Sequence, residues 1–413
     1  MNPITKTTVW ILFFAWSIDY IDRLVINIAL PLIGEDLELS HSQRGLVISA
    51  FFLAYAAAQL PGGLLADKFG AVRMATIGLL AWSIFTGLTA FAFSLASLLA
   101  IRIGFGLAQG LFPGAAMKLL AERSLPAERM TANGWMQSSN AIGALAAAVI
   151  AAIALPLLGW RGMFLVIAGL GLVMLVVMRR RMPAPMSPES TGAEVSATEA
   201  APITIRDVLR SRAMWAFAAM FFGYDVLVWG LNSWFPSYLH EERGISLSAA
   251  SLLGIFPTLA AAAAIILSGR WCDRLDGRPR PLVLPALIAG IIGVVLVPHI
   301  GSVIGIVAFG TVMVAVVNLA YMPTFALALR NLPTQVAGIG SGIILVGGML
   351  GGVIAPSAFG WIVDILSWEW AFASLAIGPI IGIIALYLAP RDATEFRAAL
   401  RLPTLPRTVV SSV

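Results

Sequence analysis

Two arginines lie inside long apolar stretches of the sequence. Arg23 is near the middle of the first stretch, and Arg102 is in the fourth. Arginine stays charged in proteins and can bind a carboxylate through two parallel hydrogen bonds. Because a charge inside a membrane span is costly, such residues commonly mark a functional site. The two arginines therefore predict a cavity that binds a small organic anion, such as a carboxylate.

An internal acid could instead hold each arginine as a structural ion pair. Asp22 adjoins Arg23, Asp19 lies one turn earlier, and Asp225 lies in the seventh apolar stretch. The structural alternative pairs the arginines with Asp22 or Asp225. Asp225 has three interpretations: a proton carrier, a counter-ion, or a carboxyl satisfied by hydroxyl groups. Burial favours the protonated form of a carboxyl, so proton exchange there is one prediction.

Other polar side chains recur at helical spacing in the same stretches. Residues three, four or seven apart share a helix face, and polar faces do not point to lipid. We therefore expect these residues to line a cavity or a helix contact: Tyr20 and Asn27 with Arg23, Gln109 with Arg102, Asn133 with Gln137 and Asn140, Asn232 with Asp225, and Asn318 with Tyr321.

The elements that position these residues must cross a lipid bilayer. Of 413 residues, 59% are hydrophobic and 11% charged, whereas about 25% are charged in soluble domains. A membrane span needs roughly 20 apolar residues. The sequence predicts an all-α membrane protein with twelve transmembrane helices, near residues 8–32, 44–66, 73–92, 95–118, 132–157, 160–178, 213–239, 247–269, 281–299, 302–328, 336–363 and 368–390.

The basic residues predict the orientation of these helices. With both termini in the cytoplasm, only Arg44, Arg161 and Arg243 of the 26 lysines and arginines fall in outer loops. Cytoplasmic loops are enriched in Lys and Arg. We expect a multi-pass protein of the cell inner (plasma) membrane. The first apolar stretch is interpreted as a span, because it is too long for a cleaved signal.

A charged motif occurs twice, about two hundred residues apart. The first copy, with the pattern G-x-x-x-D-[RK]-x-G-x-x-R, contains Gly63, Asp67, Lys68, Gly70 and Arg73, and the second contains Asp273 and Arg274. Each copy lies where an apolar stretch ends in a short basic loop. The duplication predicts two pseudo-symmetric six-helix bundles around a central cavity, as in alternating-access transporters. Two unrelated basic hairpins are the alternative.

The predicted organisation has four parts. Residues 1–178 form the first bundle, 179–212 a cytoplasmic linker, 213–390 the second bundle, and 391–413 a cytoplasmic tail. The linker is rich in Pro, Ser and Glu and is predicted to be mostly flexible. Its end, residues 203–209, is predicted to form a surface helix.

The sequence gives little support to an enzyme. Cys272 is the single cysteine, the three histidines are scattered near predicted helix ends, and no metal-ligand spacing occurs. The sequence also contains no phosphate-binding loop motif and no recognisable Ser/His/Asp triad. We expect no cofactor, no metal and no nucleic-acid partner.

Several segments resemble the major facilitator superfamily over essentially the whole chain, and within it the anion:cation symporter family. That family includes bacterial hexonate and hexuronate transporters and animal vesicular glutamate carriers. The segments are Tyr20-Ile-Asp22-Arg23-Leu, Phe51 to Asp67, Arg102-x7-Gly110-x2-Pro113, Pro126-Ala-Glu128-Arg129, Trp234-Phe-Pro236-Ser-Tyr238-Leu, and Gly351-Gly352-x3-Pro356.

The resemblance implies roles for single residues. It assigns Arg23 and Arg102 to the substrate carboxylate and Asp22 to proton coupling. It places Tyr20, Tyr55 and Asn140 in the same cavity, and it makes the Asp67 loop a gate. Three positions depart from the family pattern: Gln109 replaces a glutamate of hexonate symporters, Leu345 and Met349 replace frequent asparagines, and Asp225 stands where a neutral residue is expected.

Together, these observations predict a secondary transporter for a small organic anion, such as a sugar acid or other monocarboxylate. We expect a monomer in the lipid bilayer that imports its substrate with protons by alternating access, with sodium as the alternative ion. A proton-coupled drug or metabolite exporter and an anion exchanger are rival functions. Predicted substrate-binding residues are Arg23, Arg102, Tyr20, Tyr55, Asn140, Gln137, Gln109 and Tyr321, and predicted proton-coupling residues are Asp22 and Asp225.

Overall fold

A computed structural model describes residues 1–187 and 203–402, except for the side chains of residues 334 and 335. Within these ranges the chain is helical and contains no strand. The predicted all-α class is therefore confirmed. The remaining parts of the predicted linker and tail, residues 188–202 and 403–413, lie outside the described residues.

Six helices make up the first half of the chain. They are α1 (Pro3–Asp36), α2 (His41–Phe69), α3 (Ala71–Thr89), α4 (Leu95–Gly110), α5 (Phe112–Glu122) and α6 (Arg129–Arg181).

Eleven helices are described in the second half. They are α7 (Ile205–Arg210), α8 (Arg212–Ser237), α9 (Leu247–Leu253), α10 (Ile255–Arg274), α11 (Arg280–Leu296), α12 (Val303–Asn318), α13 (Tyr321–Asn331), α14 (Thr334–Ile365), α15 (Trp368–Ser374), α16 (Ile377–Leu388) and α17 (Ala393–Ala399). A π-helical turn, Tyr238–Glu242, follows α8. Helix α7 confirms the surface helix predicted at the end of the linker.

Ten helical stretches among the described residues are long and apolar enough to cross a membrane. Helix α1 is not among these ten, and its middle contains Asp19, Asp22 and Arg23. The stretch Pro126–Arg181 has 56 residues, which is roughly 84 Å of helix for a core of about 30 Å. It breaks at Gly159, where φ is +64°. Counting α1 and splitting this stretch would give twelve spans, so the predicted number stays a prediction.

Four predicted spans consist of two shorter helices in the structure. The breaks lie two to four residues before Pro113, Pro257, Pro323 and Pro379. Proline lacks the N–H of a helical hydrogen bond and clashes with the preceding turn, whereas it fits well in the first turn of a new helix. Each proline therefore starts a helix instead of continuing one.

The helices group into two compact units. Unit 1 contains the first-half helices as far as Arg181 together with Leu231–Thr258 and Pro356–Trp368. Unit 2 contains α7 and α8 as far as Gly230, residues Leu259–Ala355, and the chain from Glu369 onward. Two second-half segments thus pack with the first half, which the sequence did not indicate.

Candidate functional site

Arg23 is the centre of a buried polar network in unit 1. Its Nη2 lies 3.1 Å from Asp19 Oδ2 and donates to Gln109 Oε1 at 3.2 Å. Gln109 Nε2 in turn donates to the main-chain carbonyl of Asp19 at 3.1 Å. The structural alternative predicted an ion pair of Arg23 with Asp22 or Asp225. This pairing is wrong, because the acid paired with Arg23 is Asp19. Asp19 lies four residues before Arg23 and therefore shares its helix face.

Aromatic rings cover the Arg23 guanidinium. Its carbon lies 4.5 Å from the centre of the Tyr55 ring, 5.0 Å from Tyr20 and 5.5 Å from Phe51. The negative faces of aromatic rings attract cations. Arg23 Nε is buried without a hydrogen-bond partner. The group therefore retains an unused donor beside stacking surfaces, which suits an anion with an apolar backbone.

Two glycines bring the helices of this network together. A Cβ at Gly106 on α4 would lie 2.6 Å from the Phe51 carbonyl oxygen of α2. A Cβ at Gly143 on α6 would lie 2.6 Å from the Ser17 carbonyl oxygen of α1. Both distances are shorter than any normal contact, so only glycine permits these close approaches. The first contact holds the helices of Tyr55 and Gln109 together, and the second holds α6 against the helix of Arg23.

Asp22 and Arg102 form a second buried group on the other side of α1. Thr86 Oγ1 donates to Asp22 Oδ1 at 2.9 Å, and Arg102 Nη2 donates to Thr89 Oγ1 at 2.7 Å. The threonines are one turn apart on α3. Asp22 is 2% exposed and Arg102 is 1% exposed. Both groups therefore contact α3 through a threonine hydroxyl.

The structure thus gives the two arginines different surroundings. The sequence led us to expect both on one cavity, but Arg102 is enclosed by Thr89 and by the rings of Phe105 and Phe164. It turns toward α3 because that helix supplies its hydroxyl partner. Arg102 therefore lies inside the first-half helices here, and its direct contact with a substrate stays a prediction.

The other predicted first-half residues have varied positions. Tyr20 and Tyr55 contact Arg23, and Gln109 is fully buried beside it. Asn140 is half-buried on α6, and its Oδ1 has no hydrogen-bond partner. Gln137, one turn earlier, is exposed. Among the described residues, Arg23 hydrogen-bonds to Asp19 and Gln109, so a role of Gln137 and Asn140 in binding stays a prediction.

Asp225 and Tyr321 belong to unit 2. Asp225 is 8% exposed and packs on α14, where a Cβ at Gly348 would lie 2.1 Å from its Oδ2. Tyr321 makes ring contacts with Phe221 at 5.7 Å and with Phe325 at 5.6 Å. Asp225 is thus a buried carboxyl beside a glycine surface, and Tyr321 is part of an aromatic cluster.

The duplicated motif makes the same kind of ion pair in each half. Asp67 Oδ1 lies 2.8 Å from Lys118 Nζ of α5, and Asp273 pairs with Arg330 of α13. Helices α5 and α13 each complete a span that a proline interrupts. Gly70 has φ +91° and ends α2, a conformation that favours glycine. The remaining motif cations, Lys68, Arg73 and Arg274, are exposed.

A polar cluster that sequence analysis missed surrounds the start of α2, within unit 1. His41 Nδ1 lies 2.9 Å from Asp364 Oδ1, and His41 Nε2 lies 2.8 Å from Glu241 Oε2. Arg44 Nη1 donates to Glu241 Oε1 at 2.7 Å. Asp364 also accepts the Ser42 main-chain N–H at 2.7 Å. A carboxylate is favourable at a helix N-terminus because the first N–H groups there lack partners.

This cluster joins three distant sequence segments. His41 begins α2, Glu241 lies in the π-helical turn after α8, and Asp364 lies near the end of α14. In the predicted topology all three positions are on the outer side of the membrane. No fixed spacing connects residues 41, 241 and 364, so the sequence contained no signal that they would meet.

Comparisons with known proteins give one consistent result. The family model described as "Major Facilitator Superfamily" matches residues 12–356. The hexuronate transporter of Bacillus subtilis is 32% identical over 251 residues, which cover 60% of this chain and 59% of that protein. The chain thus aligns with less than two thirds of the length of this relative.

Two further matches cover nearly the whole chain. The probable sulfoacetate transporter of Cupriavidus necator is 30% identical over 394 residues, which cover 90% of each chain. A solved bacterial homolog of the human lysosomal transporter Spinster, in an inward-facing and occupied conformation, has a TM-score of 0.79. It is 16% identical and covers 98% of each chain, so it is evidence for the fold alone.

Proposed function

The chain belongs to the Major Facilitator Superfamily, and from this we propose that it is a proton-coupled importer of small organic anions. We propose carboxylates, including sugar acids, as the substrate class. Membership confirms the resemblance predicted from the sequence, and it confirms a transporter instead of an enzyme. The names of its hexuronate and sulfoacetate relatives support an anionic substrate.

The observation that carries this proposal is the environment of Arg23. It is a permanent cation in the middle of a membrane helix, and its Nε donor is unused. The rings of Tyr20 and Tyr55 lie within 5.0 Å of its guanidinium carbon. A substrate carboxylate would bind the guanidinium, while the C–H face of a sugar acid would pack on a ring. A cationic drug would be repelled at this place.

Alternating access requires contacts that can form and break at the two membrane faces. The Asp67–Lys118 pair is at the predicted cytoplasmic end of α2, and the His41 cluster is at the opposite end of the same helix. We propose that these contacts hold both ends of α2 in the present conformation and that each set breaks at a different step of the transport cycle. Asp22 and Asp225 are the proton-coupling residues proposed from the sequence.

We expect Asp67→Asn to impair transport while substrate affinity stays within about tenfold, because population shifts of 1–3 kcal/mol change apparent affinity only modestly. The substitution removes the carboxylate charge that pairs with Lys118 Nζ and leaves the size of the side chain almost unchanged. Cysteine accessibility from each membrane side measures the shift. Asp273→Asn is the matched variant in the second half. Full transport and unchanged accessibility would leave Asp67 as a loop-stabilising residue only.

The function is tested with purified protein in liposomes. We expect uptake of a hexuronate or of sulfoacetate, with accumulation above the outside concentration when an inward proton gradient is imposed. A proton ionophore should abolish that accumulation, and an inward sodium gradient alone should not support it. If a sodium gradient drives accumulation instead, sodium and not the proton is the coupling ion.

Two results would overturn the proposal. If none of a panel of carboxylates and sulfonates is bound or transported, the protein does not carry small organic anions. If outward transport of a cationic compound is the only activity measured, the exporter alternative is correct. Empty liposomes and liposomes with an Arg23→Ala variant are the controls.

A further inference from the structure

We propose that Asp19 is a proton-binding residue of the transport cycle, and that it exchanges with the substrate carboxylate at Arg23. This inference rests on the proposed function. The family resemblance implies proton coupling for Asp22 and gives no role to Asp19. The structure gives Asp19, not Asp22, the direct contact with Arg23.

The geometry around Asp19 supports this role. Asp19 Oδ2 is 3.1 Å from Arg23 Nη2, whereas Asp19 Oδ1 is buried without a hydrogen-bond partner. A buried carboxylate oxygen without a partner is costly. The substrate carboxylate and Asp19 therefore compete for one cation, and Asp19 has a free oxygen that can accept a proton when it loses that cation.

Gln109 completes the geometry. It accepts from Arg23 through Oε1 and donates to the main-chain oxygen of Asp19 through Nε2. Its amide cannot titrate, so it holds the two residues together without competing for the proton. At this position, Asp19 is thus the carboxyl that can take up a proton when substrate binds Arg23.

The buried charges around Asp19 also favour its protonation when substrate is bound. Among the described residues buried near the middle of the first-half helices, the charged groups are Asp19, Asp22, Arg23 and Arg102. Two carboxylates and two guanidinium groups sum to zero. A bound monocarboxylate adds one negative charge, which is costly in a low-dielectric interior. One proton on Asp19 restores the balance.

Charged and polar side chains on α1, α2 and α4 surround Asp19 and its partner Arg23. Arg23 Nη2 lies 3.1 Å from Asp19 Oδ2, and Asp22 is the other buried acid of α1. From α2 the Tyr55 ring covers Arg23, and from α4 Gln109 contributes only an amide. Arg102, also on α4, donates to Thr89 of α3. When substrate occupies Arg23, the balance at Asp19 therefore moves toward protonation.

The exchange is a simple proton transfer. In the empty state, the Asp19 carboxylate pairs with Arg23. Substrate binding replaces this ion pair with a pair between Arg23 and the substrate carboxylate, and the Asp19 carboxylate takes up one proton from water on the side of entry. Release of substrate to the other side reverses both events, and Asp19 returns to Arg23 after losing its proton.

The first test is Asp19→Asn, which resembles the protonated side chain. We expect gradient-driven accumulation to be lost while counterflow exchange continues. Wild-type affinity should fall as pH rises, approaching about tenfold per pH unit once Asp19 ionises. The Asp19→Asn variant should bind substrate with the affinity that the wild type shows at low pH, and this affinity should not change with pH.

The second test moves the carboxylate. In the double variant Asp19→Asn with Gln109→Glu, the introduced carboxylate occupies the position whose oxygen lies 3.2 Å from Arg23 Nη2. We expect it to restore proton-driven accumulation and the pH dependence of binding. Because it keeps a buried ion pair, this variant also tests the proposal if Asp19→Asn alone does not fold.

The outcomes separate the two proposals. If wild-type protein neither binds nor transports carboxylates, the proposed function fails. If the wild type transports and Asp19→Asn still accumulates substrate with an undiminished response to pH, Asp19 is not the coupling residue and the function stands. Loss of coupling in Asp22→Asn, with full coupling in Asp19→Asn, would return the role to Asp22. A double variant that folds but stays uncoupled would also contradict the exchange.

Discussion

Replacing Arg23 with alanine is expected to weaken binding of a substrate carboxylate by about 30-fold or more. Loss of a buried charge-assisted contact costs on the order of 2–5 kcal/mol. The variant also leaves Asp19 without its cation. Binding of a hexuronate or sulfoacetate to purified protein is the measurement. Arg23→Lys should bind substrate more tightly than Arg23→Ala but more weakly than the wild type, because lysine keeps the charge and lacks the planar guanidinium of arginine.

Arg161→Ala is the matched control for this prediction. Arg161 stacks on Trp160 at 4.1 Å and pairs with Asp36 at the end of α1, but 46% of its side chain is exposed. Exposed ion pairs contribute roughly 0–1 kcal/mol, so affinity should not change. Unchanged affinity in a folded Arg23→Ala variant would contradict the anion site. Equal losses in both variants would indicate a general effect of arginine removal.

Replacing Arg102 with alanine is expected to destabilise the protein strongly. Arg102 is 1% exposed and donates to Thr89, and its removal leaves the buried charge of Asp22 without its nearby cation. Losing a buried hydrogen bond from a charged group costs roughly 1.5–3 kcal/mol, and loss of the cation nearest Asp22 adds to this cost. We expect a lower midpoint of thermal unfolding in detergent and reduced yield of folded protein. The loss should not depend on the presence of substrate.

The double variant Arg102→Ala with Asp22→Asn tests the cause. Neutralising Asp22 removes the uncompensated charge, so the double variant should be more stable than Arg102→Ala alone. Pairing Arg102→Ala with Asp19→Asn is the matched control, since Asp19 pairs with Arg23. If neither second substitution recovers stability, packing of Arg102 on Phe105 and its bond to Thr89 account for the effect. If Arg102→Ala is fully stable but loses substrate binding, Arg102 contacts substrate directly.

The large-scale architecture could be predicted from the sequence. The apolar runs had the length that a bilayer requires, and an isolated helix satisfies its own backbone hydrogen bonds in lipid. Both signals are local, so the sequence alone was enough for them. The duplicated motif also predicted the equivalent positions of Asp67 and Asp273, and the structure gives both residues a cationic partner.

Side-chain pairing was predicted less well. The sequence drew attention to Asp22 because it adjoins Arg23, but adjacent residues on a helix point in different directions. Asp19 shares the face of Arg23, and Asp22 turns toward Thr86 on α3. The helix period alone would have indicated this difference. The partner of Arg102 depended on α3, which the local pattern around residue 102 does not describe.

The sequence by itself determined the helical class, the approximate limits of most membrane spans, and the presence of buried cations and acids. Tertiary structure decided which acid faces which cation, and it assembled His41, Glu241 and Asp364 from three distant segments. The physical reason is the range of the forces. Transfer of apolar residues into lipid depends on local composition, whereas an ion pair or hydrogen bond needs two groups within about 3 Å. Only the packing of helices distant in the chain sets that distance.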